Sequence, residues 1–178
     1  MDLRNTPTGF GGVARAFHWG MALLVLASLA MIEVRGWAPK GSALRAGLRD
    51  WHAQAGLVVL ALVWFRLFWR LVNIQPTIVP PLPVWQLRAA HVVEWTFYTL
   101  MVVLSVLGVA MMQADGKMVS LLGASLPPVV AVDKAWAHRL EDIHEWLGNA
   151  MMALIAAHVG AALWHHFVRR DNTLARMW

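Results

Sequence analysis

The chain has 178 residues, of which 59% are hydrophobic and only 14% are charged, and it contains no cysteine. A soluble globular domain averages about 45–50% apolar and about 25% charged residues, so this composition excludes that class. The formal net charge of +5 does not indicate nucleic-acid binding, because the basic residues form short clusters between long apolar runs. The missing cysteines exclude disulfides, thiolate metal sites and covalent haem attachment.

Four apolar runs are long enough to cross a bilayer, which takes about 20 helical residues. Because backbone polar groups in lipid must be satisfied within their own segment, each run is predicted to be a helix. All eight prolines lie outside these runs. We predict one membrane domain over residues 1–178, an all-α bundle of four antiparallel helices with both chain ends on the same side. The predicted spans are residues 16–33, 51–72, 91–112 and 143–168.

The first run, the third loop and the flanking charges indicate how the chain is arranged in the membrane. The first run is predicted to remain in the protein, because it exceeds the apolar core of a signal peptide, about 7–15 residues. Segment 118–132 is too short to span and contains Pro127-Pro128, so it is predicted to be an interfacial or re-entrant part of the third loop. Eight Lys and Arg residues flank the helices on the side of the termini and seven flank them on the other side. This small excess favours cytoplasmic termini.

Four histidines lie within the spans, where ionisable side chains are rare and by default mark function. His144 and His158 are fourteen residues apart, so they share one helix face about 21 Å apart along the axis. Alternating helix directions place His52 level with His144, and His18 level with His158. Two imidazole pairs near opposite membrane surfaces indicate two haem b groups in the bundle core, each bound through two histidines. Hydrogen bonding between helices is the alternative, and zinc is disfavoured because each level offers only two ligands.

Three further residues fit these sites. Gly56 and Gly148 each follow a histidine by four residues, and glycine lets a flat macrocycle approach the helix backbone. Arg66 is fourteen residues after His52, which places it at the depth of the inner pair. It is predicted to bind haem propionates or to reach the lipid headgroups.

Other histidines lie near the inner surface. His165 follows His158 by seven residues, and it is a possible haem ligand, a contact for a quinone headgroup or a solvated side chain. His91 and Glu94 are three residues apart on the third helix, where they either relay protons to a quinone or satisfy each other. His138 and His166 are predicted to lie at the surface.

Together with several short motifs, these residues resemble the bacterial cytochrome b561 family, specifically its small stand-alone members with superoxide oxidase activity. The resemblance covers nearly the whole chain, and its closing motif is the most specific part. It implies four helices in the inner membrane and two haem b groups, and it favours His158 over His165 as a ligand. The implied ligands are His18, His52, His144 and His158. The matching stretches are F-H-W at 17–19, E-V-R-G at 33–36, H-x-x-x-G at 52–56, H-E at 144–145, A-H at 157–158, W-H-H-F at 164–167 and D-N-T-L-A-R-M at 171–177.

The resemblance also implies that ubiquinone is one electron partner. We favour superoxide as the other, oxidised to dioxygen at the outer face while two haems carry the electrons to ubiquinone. Basic residues near the outer face are predicted to focus the superoxide anion, or else to pair with propionates and lipid phosphates. These residues are Arg35, Lys40, Arg45, Arg49, Lys134 and Arg139.

Two other classes of function compete with this interpretation. In the first, the chain is a cytochrome b anchor subunit that carries electrons between a periplasmic dehydrogenase or hydrogenase and the quinone pool. In the second, it is a haem-free transporter or structural bundle. The short outer loops disfavour a docking role, so no obligatory protein partner is expected. Membrane lipid is expected as a partner because the four runs are apolar.

Overall fold

The computed structural model describes residues 2–178, and in this part of the chain four long helices dominate. Each helix is long and apolar enough to cross a membrane, which confirms the prediction of four long apolar helices. The helices are α1 (Gly12–Trp37), α2 (Ala43–Val72), α3 (Val84–Ala114) and α4 (Lys134–Trp164). The shorter elements are β1 (Ser120–Leu121), β2 (Ala124–Ser125), a π-turn (His165–Arg169) and a 3-10 turn (Ala175–Met177).

The helices extend beyond the predicted spans, mostly at their N-termini. The side chain of Ser42 accepts a hydrogen bond from the Arg45 amide, so α2 begins eight residues before the predicted position. Asp133 accepts from the Trp136 amide in the same way, and α4 begins nine residues early. Hydropathy marks the section of a helix that matches lipid, whereas capping side chains mark where the helix starts.

Helices that are consecutive in the chain pack against each other: α1 on α2, α2 on α3, and α3 on α4. The shared core lies at mid-height, where Met21, Val63, Tyr98, Met101 and Met151 form one buried cluster. Only 6% to 22% of the residues in the apolar window of each helix are buried. The remaining apolar surface faces outward, as a helix in lipid requires.

Both chain ends lie at the same end of the bundle, which we call the terminal end. The amide of Phe10 donates to the Arg176 carbonyl at 3.0 Å, the Thr77 amide to the Pro7 carbonyl at 2.9 Å, and the Asn172 amide to the Val79 carbonyl at 3.1 Å. The N-terminal segment, the α2–α3 loop and the C-terminal segment are thereby joined into one cap, which we call the terminal cap (residues 2–11, 73–83 and 170–178).

The opposite end, which we call the far end, carries the short α1–α2 loop and the longer α3–α4 loop. In the latter, β1 and β2 form a two-stranded antiparallel hairpin. The side-chain amide of Gln54 holds this hairpin to α2, donating to the Ser120 carbonyl at 2.5 Å and accepting from the Leu122 amide at 3.0 Å. The hairpin was not predicted, because strands of two residues are too short to show an alternating pattern.

Candidate functional site

At the far end, His52 of α2 and His144 of α4 face each other across the bundle. Their ring centres are 6.1 Å apart and their planes are inclined by 80°. At the terminal end, His18 of α1 and His158 of α4 have ring centres 6.4 Å apart, inclined by 58°. The structure therefore brings together the same two pairs that the helix geometry predicts.

Both spacings suit two imidazoles that share one metal ion. An imidazole nitrogen lies about 2 Å from a bound metal, so the centres of two rings on opposite sides of one ion are about 6 Å apart. Within residues 2–178, no three His, Cys, Asp or Glu side chains are grouped as a metal cluster. Each pair thus offers two ligands, which suits a metal whose other donors come from a macrocycle and not a zinc ion that takes all its ligands from protein.

A cavity of about 600 Å³ adjoins the far-end pair, and both histidines line it. This volume lies within the range of about 300–1,000 Å³ that is usual for small-molecule sites. Gly56 and Gly148 also line the cavity, and a Cβ atom on either would meet nothing within 4 Å. A side chain at these positions would therefore project into open space that a flat cofactor can use.

The hydrogen bonds of His52 leave one ring nitrogen free to bind a metal. Nδ1 of His52 lies 2.9 Å from the backbone carbonyl oxygen of Ser28 and 3.0 Å from its hydroxyl. A carbonyl only accepts, so the proton sits on Nδ1 and the lone pair is on Nε2. Donation from the second nitrogen to a carbonyl is the usual arrangement around metal-bound histidine.

His144 is held differently from its partner. Its Nδ1 atom is buried without a hydrogen-bond partner among the described residues. Gly108 of α3 lies directly against the ring, since a Cβ atom there would be 3.4 Å from Cε1 of His144. A buried polar nitrogen without a partner is costly, and only a group bound at Nδ1 itself would offset that cost. The far-end residues therefore fit a haem held by two histidines.

Arg66 reaches the terminal-end pair, at the depth predicted for it. One of its guanidinium nitrogens is 3.2 Å from Nδ1 of His18, and its Cζ atom lies 5.8 Å from the ring centre of Tyr98. Phe97 packs edge-on against His158, with ring centres 5.3 Å apart. The site thus combines two imidazoles, an aromatic wall and one cation, which is the set needed for a macrocycle that carries carboxylates.

The six basic residues predicted near the outer face do not act as one group. Arg35 and Arg49 line the far-end cavity, and Nε of Arg35 is buried without a partner among the described residues. Arg45 instead closes α1, donating to the carbonyl oxygens of Arg35 at 2.7 Å and Ala38 at 3.1 Å. The side chain of Lys134 pairs with the Asp115 carboxylate at 2.6 Å. Lys40 and Arg139 are exposed and are not part of the cavity lining.

The cavity rim also carries acidic residues that the sequence reasoning did not include. Three cations (Arg35, Arg49 and Lys117) and four carboxylates (Glu33, Asp115, Glu141 and Glu145) line it. Hydrogen bonds from Lys117 and Lys134 lower the pKa of Asp115 to about 2, so this carboxylate is charged at neutral pH. A positive field at the rim is therefore local to Arg35 and to Arg49, whose guanidinium also pairs with the Asp50 carboxylate at 3.1 Å. The sequence around Lys117 has no pattern that predicts a place on the cavity rim, because only the folding of the α3–α4 loop brings this residue there.

At the terminal end, two further predicted residues have other partners than expected. Glu94 forms an ion pair with Arg70 of α2, so the alternative in which it pairs with His91 is wrong. His91 is exposed. His165 is largely buried, and its Nδ1 atom is 2.5 Å from a carboxylate oxygen of Asp171. The Asp171 contact was missed, because two residues six apart do not share a face of a regular helix.

Comparison with known proteins identifies the family of this chain. Residues 9–178 match the family of prokaryotic cytochrome b561. The chain is similar to Cytochrome b561 homolog 1 of Escherichia coli (strain K12), at 41% identity over 160 residues that cover 90% of this chain and 91% of that one. It is similar to Probable superoxide oxidase CybB of Yersinia pestis, at 32% identity over 160 residues that cover 90% of each chain.

A third relative, Cytochrome b561 homolog 2 of Escherichia coli (strain K12), is 29% identical over 185 aligned positions, which cover 99% of this chain and 95% of that one. The family match and the first two relatives all extend over most of the length. The chain therefore belongs to the prokaryotic cytochrome b561 family, and it is a multi-pass bacterial membrane protein of electron transfer whose family binds haem b.

Proposed function

We propose that the chain oxidises superoxide at the far end of the bundle and delivers the electrons to ubiquinone at the terminal end, through two haem b groups. The observation that carries this proposal is the pair of histidine sites. They use one helix, α4, whose His144 and His158 are fourteen residues apart, and each site has a partner histidine about 6 Å away on another helix. Two sites near opposite membrane surfaces suit transfer across the membrane.

The residues that would hold the two groups are His52 and His144 at the far end, and His18 and His158 at the terminal end. A haem b bound in this way supplies reversible one-electron transfer. Gly56 and Gly148 keep the far-end wall flat, and Arg66 places a cation beside the terminal-end pair. A permanently charged guanidinium in an apolar section needs an anion, and a propionate supplies one.

Superoxide is a small anion, and its oxidation at the far end needs no proton donor. It loses one electron and leaves as dioxygen. Arg35 and Arg49 line the cavity beside the far-end histidines, where they attract an anion at short range. The four carboxylates on the same rim limit this attraction to the neighbourhood of the two arginines.

Ubiquinone is reduced at the terminal end, where it takes up two electrons and two protons. The electrons come from two superoxide anions, so two superoxide anions, one ubiquinone and two protons give two dioxygen molecules and one ubiquinol. His165 is the best-placed proton donor, because it lies seven residues beyond His158 on the same helix and its side chain is 14% exposed. His91 is a second candidate at this end.

The terminal end is proposed to face the cytoplasm of the bacterial inner membrane. Eight Lys and Arg residues flank the helices at this end and seven at the far end. The rule of positive charge on the inside therefore favours cytoplasmic termini. In this orientation superoxide is oxidised on the periplasmic side.

The decisive experiment is the spectrum and haem content of the purified protein. We expect a reduced b-type spectrum with about two haems per chain, a number set by two histidine pairs. Superoxide is expected to reduce these haems, and added ubiquinone is expected to reoxidise them. A chain without haem, or haems that superoxide does not reduce, would contradict the proposal.

Histidine variants test the assignment of the sites. His52→Ala and His144→Ala are each expected to remove the far-end haem and to leave about one haem per chain, because each removes one of two ligands. The matched control is His166→Ala, since His166 is exposed and does not line the far-end cavity. Loss of only the terminal-end haem in a His52 variant would show that the pairs are assigned wrongly.

A second candidate function is that of an electron-transfer subunit bound to a periplasmic dehydrogenase or hydrogenase. One observation favours it: Met118 and Leu122, in and beside the far-end hairpin, are 81% and 88% exposed. Apolar side chains that stand out from a loop are typical of a docking surface. Purification in mild detergent separates the two functions, since a stoichiometric periplasmic partner supports the subunit, and a lone chain that reduces ubiquinone supports the oxidase.

A further inference from the structure

The α4 helix ends in an irregular turn. Residues His165–Arg169 form a π-turn, and Arg170 follows in the left-handed region at φ 57° and ψ 38°. Single π-turns within helices are rare and occur often at functional sites. A left-handed conformation is unfavourable for a residue other than glycine, so contacts elsewhere must hold it in place.

This turn reverses the chain and returns Asp171 to the helix that it has just left. The Asp171 amide donates to the His165 carbonyl at 3.2 Å. Its carboxylate has no exposed surface, and one of its oxygens is 2.5 Å from Nδ1 of His165. The other oxygen accepts from the Thr173 amide at 2.9 Å. The irregular turn therefore makes one specific contact, between a buried carboxylate and an imidazole.

The charge state of Asp171 follows from its surroundings. Burial raises the pKa of Asp171, but hydrogen bonds from Thr173 and His165 outweigh it and hold the pKa below its usual value. The carboxylate is thus ionised, so it has only acceptor atoms, and Nδ1 of His165 donates to it. The other charged groups at Asp171 are Arg169, with Nε 3.6 Å from the carboxylate, and Arg176 of the 3-10 turn. Gln86 of α3, which binds Arg169 at 3.2 Å, carries no charge.

Because Nδ1 is engaged by Asp171, the remaining ring nitrogen of His165 is the one that can exchange a proton. We propose that Asp171 is a positioning residue that fixes the orientation and tautomer of His165, so that Nε2 takes up a proton from water and passes it to a ubiquinone oxygen at the terminal end. The inference rests on the proposed function. It assigns the π-turn and Arg170 the role of bringing the carboxylate to the histidine.

The proton and electron balance is complete. For each ubiquinone, the two electrons come from two superoxide anions, and the two protons leave Nε2 of His165 one at a time. Water at the terminal end reprotonates the imidazole after each transfer. His165 and Asp171 are unchanged at the end, as groups that act in turnover must be.

A purely structural role for Asp171, as a lock for the C-terminal segment, makes different predictions. Asn172 is the matched control, because it fastens the same segment without a contact to His165. Its side chain accepts from the Val79 amide at 2.8 Å and donates to the Thr77 carbonyl at 3.4 Å. If Asp171 only holds the segment, Asp171→Asn and Asn172→Ala will have the same effects.

The experiment uses the haem-loaded protein in lipid nanodiscs, reduced with dithionite and freed from the excess. A short-chain ubiquinone is added, and the rate of haem reoxidation is followed by absorbance from about pH 5 to pH 9. In the unchanged protein we expect the rate to fall as pH rises, because ubiquinone reduction takes up protons. Asp171→Asn removes the carboxylate that orients the ring, so the rate is expected to be about 10–100 times smaller across this pH range.

Three variants make the result specific. Asp171→Glu keeps a carboxylate and is expected to restore most of the rate, which a lock for the segment would not explain. Asn172→Ala is expected to retain the rate of the unchanged protein. His165→Gln leaves Asp171 bonded to Thr173 and is expected to slow reoxidation as much as Asp171→Asn does, which supplies the test if Asp171→Asn does not fold. Reduction of the haems by superoxide is expected to be the same in all variants.

The possible outcomes distinguish this inference from the function on which it rests. An Asp171→Asn rate like that of the unchanged protein, or a loss of rate shared with Asn172→Ala, overturns the positioning role alone. If ubiquinone does not reoxidise the unchanged protein, both the inference and the proposed function are wrong.

Discussion

Arg66 of α2 and His18 of α1 are joined by a hydrogen bond of 3.2 Å between a guanidinium nitrogen and Nδ1 of the imidazole. A guanidinium only donates, so His18 accepts at Nδ1. A neutral imidazole that binds a metal through Nε2 carries its proton on Nδ1. Neither nitrogen then has a free lone pair that could accept a hydrogen bond from Arg66. Metal binding at His18 is therefore incompatible with this bond, and it frees Arg66 for an anion.

Replacement of Arg66 tests that consequence. We expect Arg66→Gln to lower the midpoint potential of the terminal-end haem by on the order of tens of millivolts, because a nearby cation stabilises the more negative reduced state. Arg66→Lys keeps the charge and is expected to change the potential less. Redox titration measures both. Arg88→Gln, at an exposed position of α3, is the control, and an equal shift in that variant would argue against a specific role of Arg66.

Filling the far-end cavity is expected to exclude one haem. In Gly56→Leu the new side chain enters the open space beside His52, where a Cβ atom meets nothing within 4 Å, so folding is expected to continue. We expect about one haem per chain in place of two, measured by the pyridine haemochrome assay. Gly47→Leu places the same side chain on the same helix, also in open space but outside the cavity lining. Two haems in both variants would contradict the assignment of the cavity.

Charges on the cavity rim are expected to change the superoxide reaction in opposite directions. Arg49→Gln removes an attractive charge, and we expect superoxide-driven haem reduction to slow by roughly threefold at low ionic strength. Glu141→Gln removes a repulsive charge and is expected to accelerate it. Stopped-flow measurements at increasing salt test the physical cause, because screening lengths fall to about 10 Å at 0.1 M. Lys40→Gln, outside the lining, is the control. Rates indifferent to salt would eliminate electrostatic attraction.

The terminal cap depends on one glycine. A Cβ atom on Gly11 would overlap the backbone of Arg4 and Leu3, which cannot move without breaking the cap. We expect Gly11→Ala to cost about 1–3 kcal/mol of stability, seen as a lower unfolding temperature in detergent. In Gly9→Ala the nearest atom to the new Cβ is the Thr6 hydroxyl at 4.0 Å, so this control is expected to unfold at the original temperature. Equal unfolding temperatures would mean that the cap does not contribute to stability.

Much of the architecture could be predicted from the sequence, because lipid restricts what a chain can do. Four apolar runs must be helices, and alternating directions then place His52 level with His144 and His18 level with His158. The structure has these helices and brings the rings of each pair to within 6.1 and 6.4 Å. The depth of Arg66 followed from the same spacing along one helix. The depth and the face of a side chain within one helix depend only on its spacing along that helix, so the sequence determines them.

Contacts between segments that are distant or irregular were decided only by the tertiary structure. The carboxylates around the far-end cavity meet Arg35 and Arg49 through loop folding, and Glu94 pairs with Arg70 of another helix instead of its neighbour His91. Asp171 reaches His165 through a π-turn and a left-handed residue, neither of which has a periodic signal. By itself, then, the sequence determined a four-helix membrane bundle with paired histidines, since hydropathy and helix geometry are properties of short stretches. The partners of each charged side chain depended on which elements pack together.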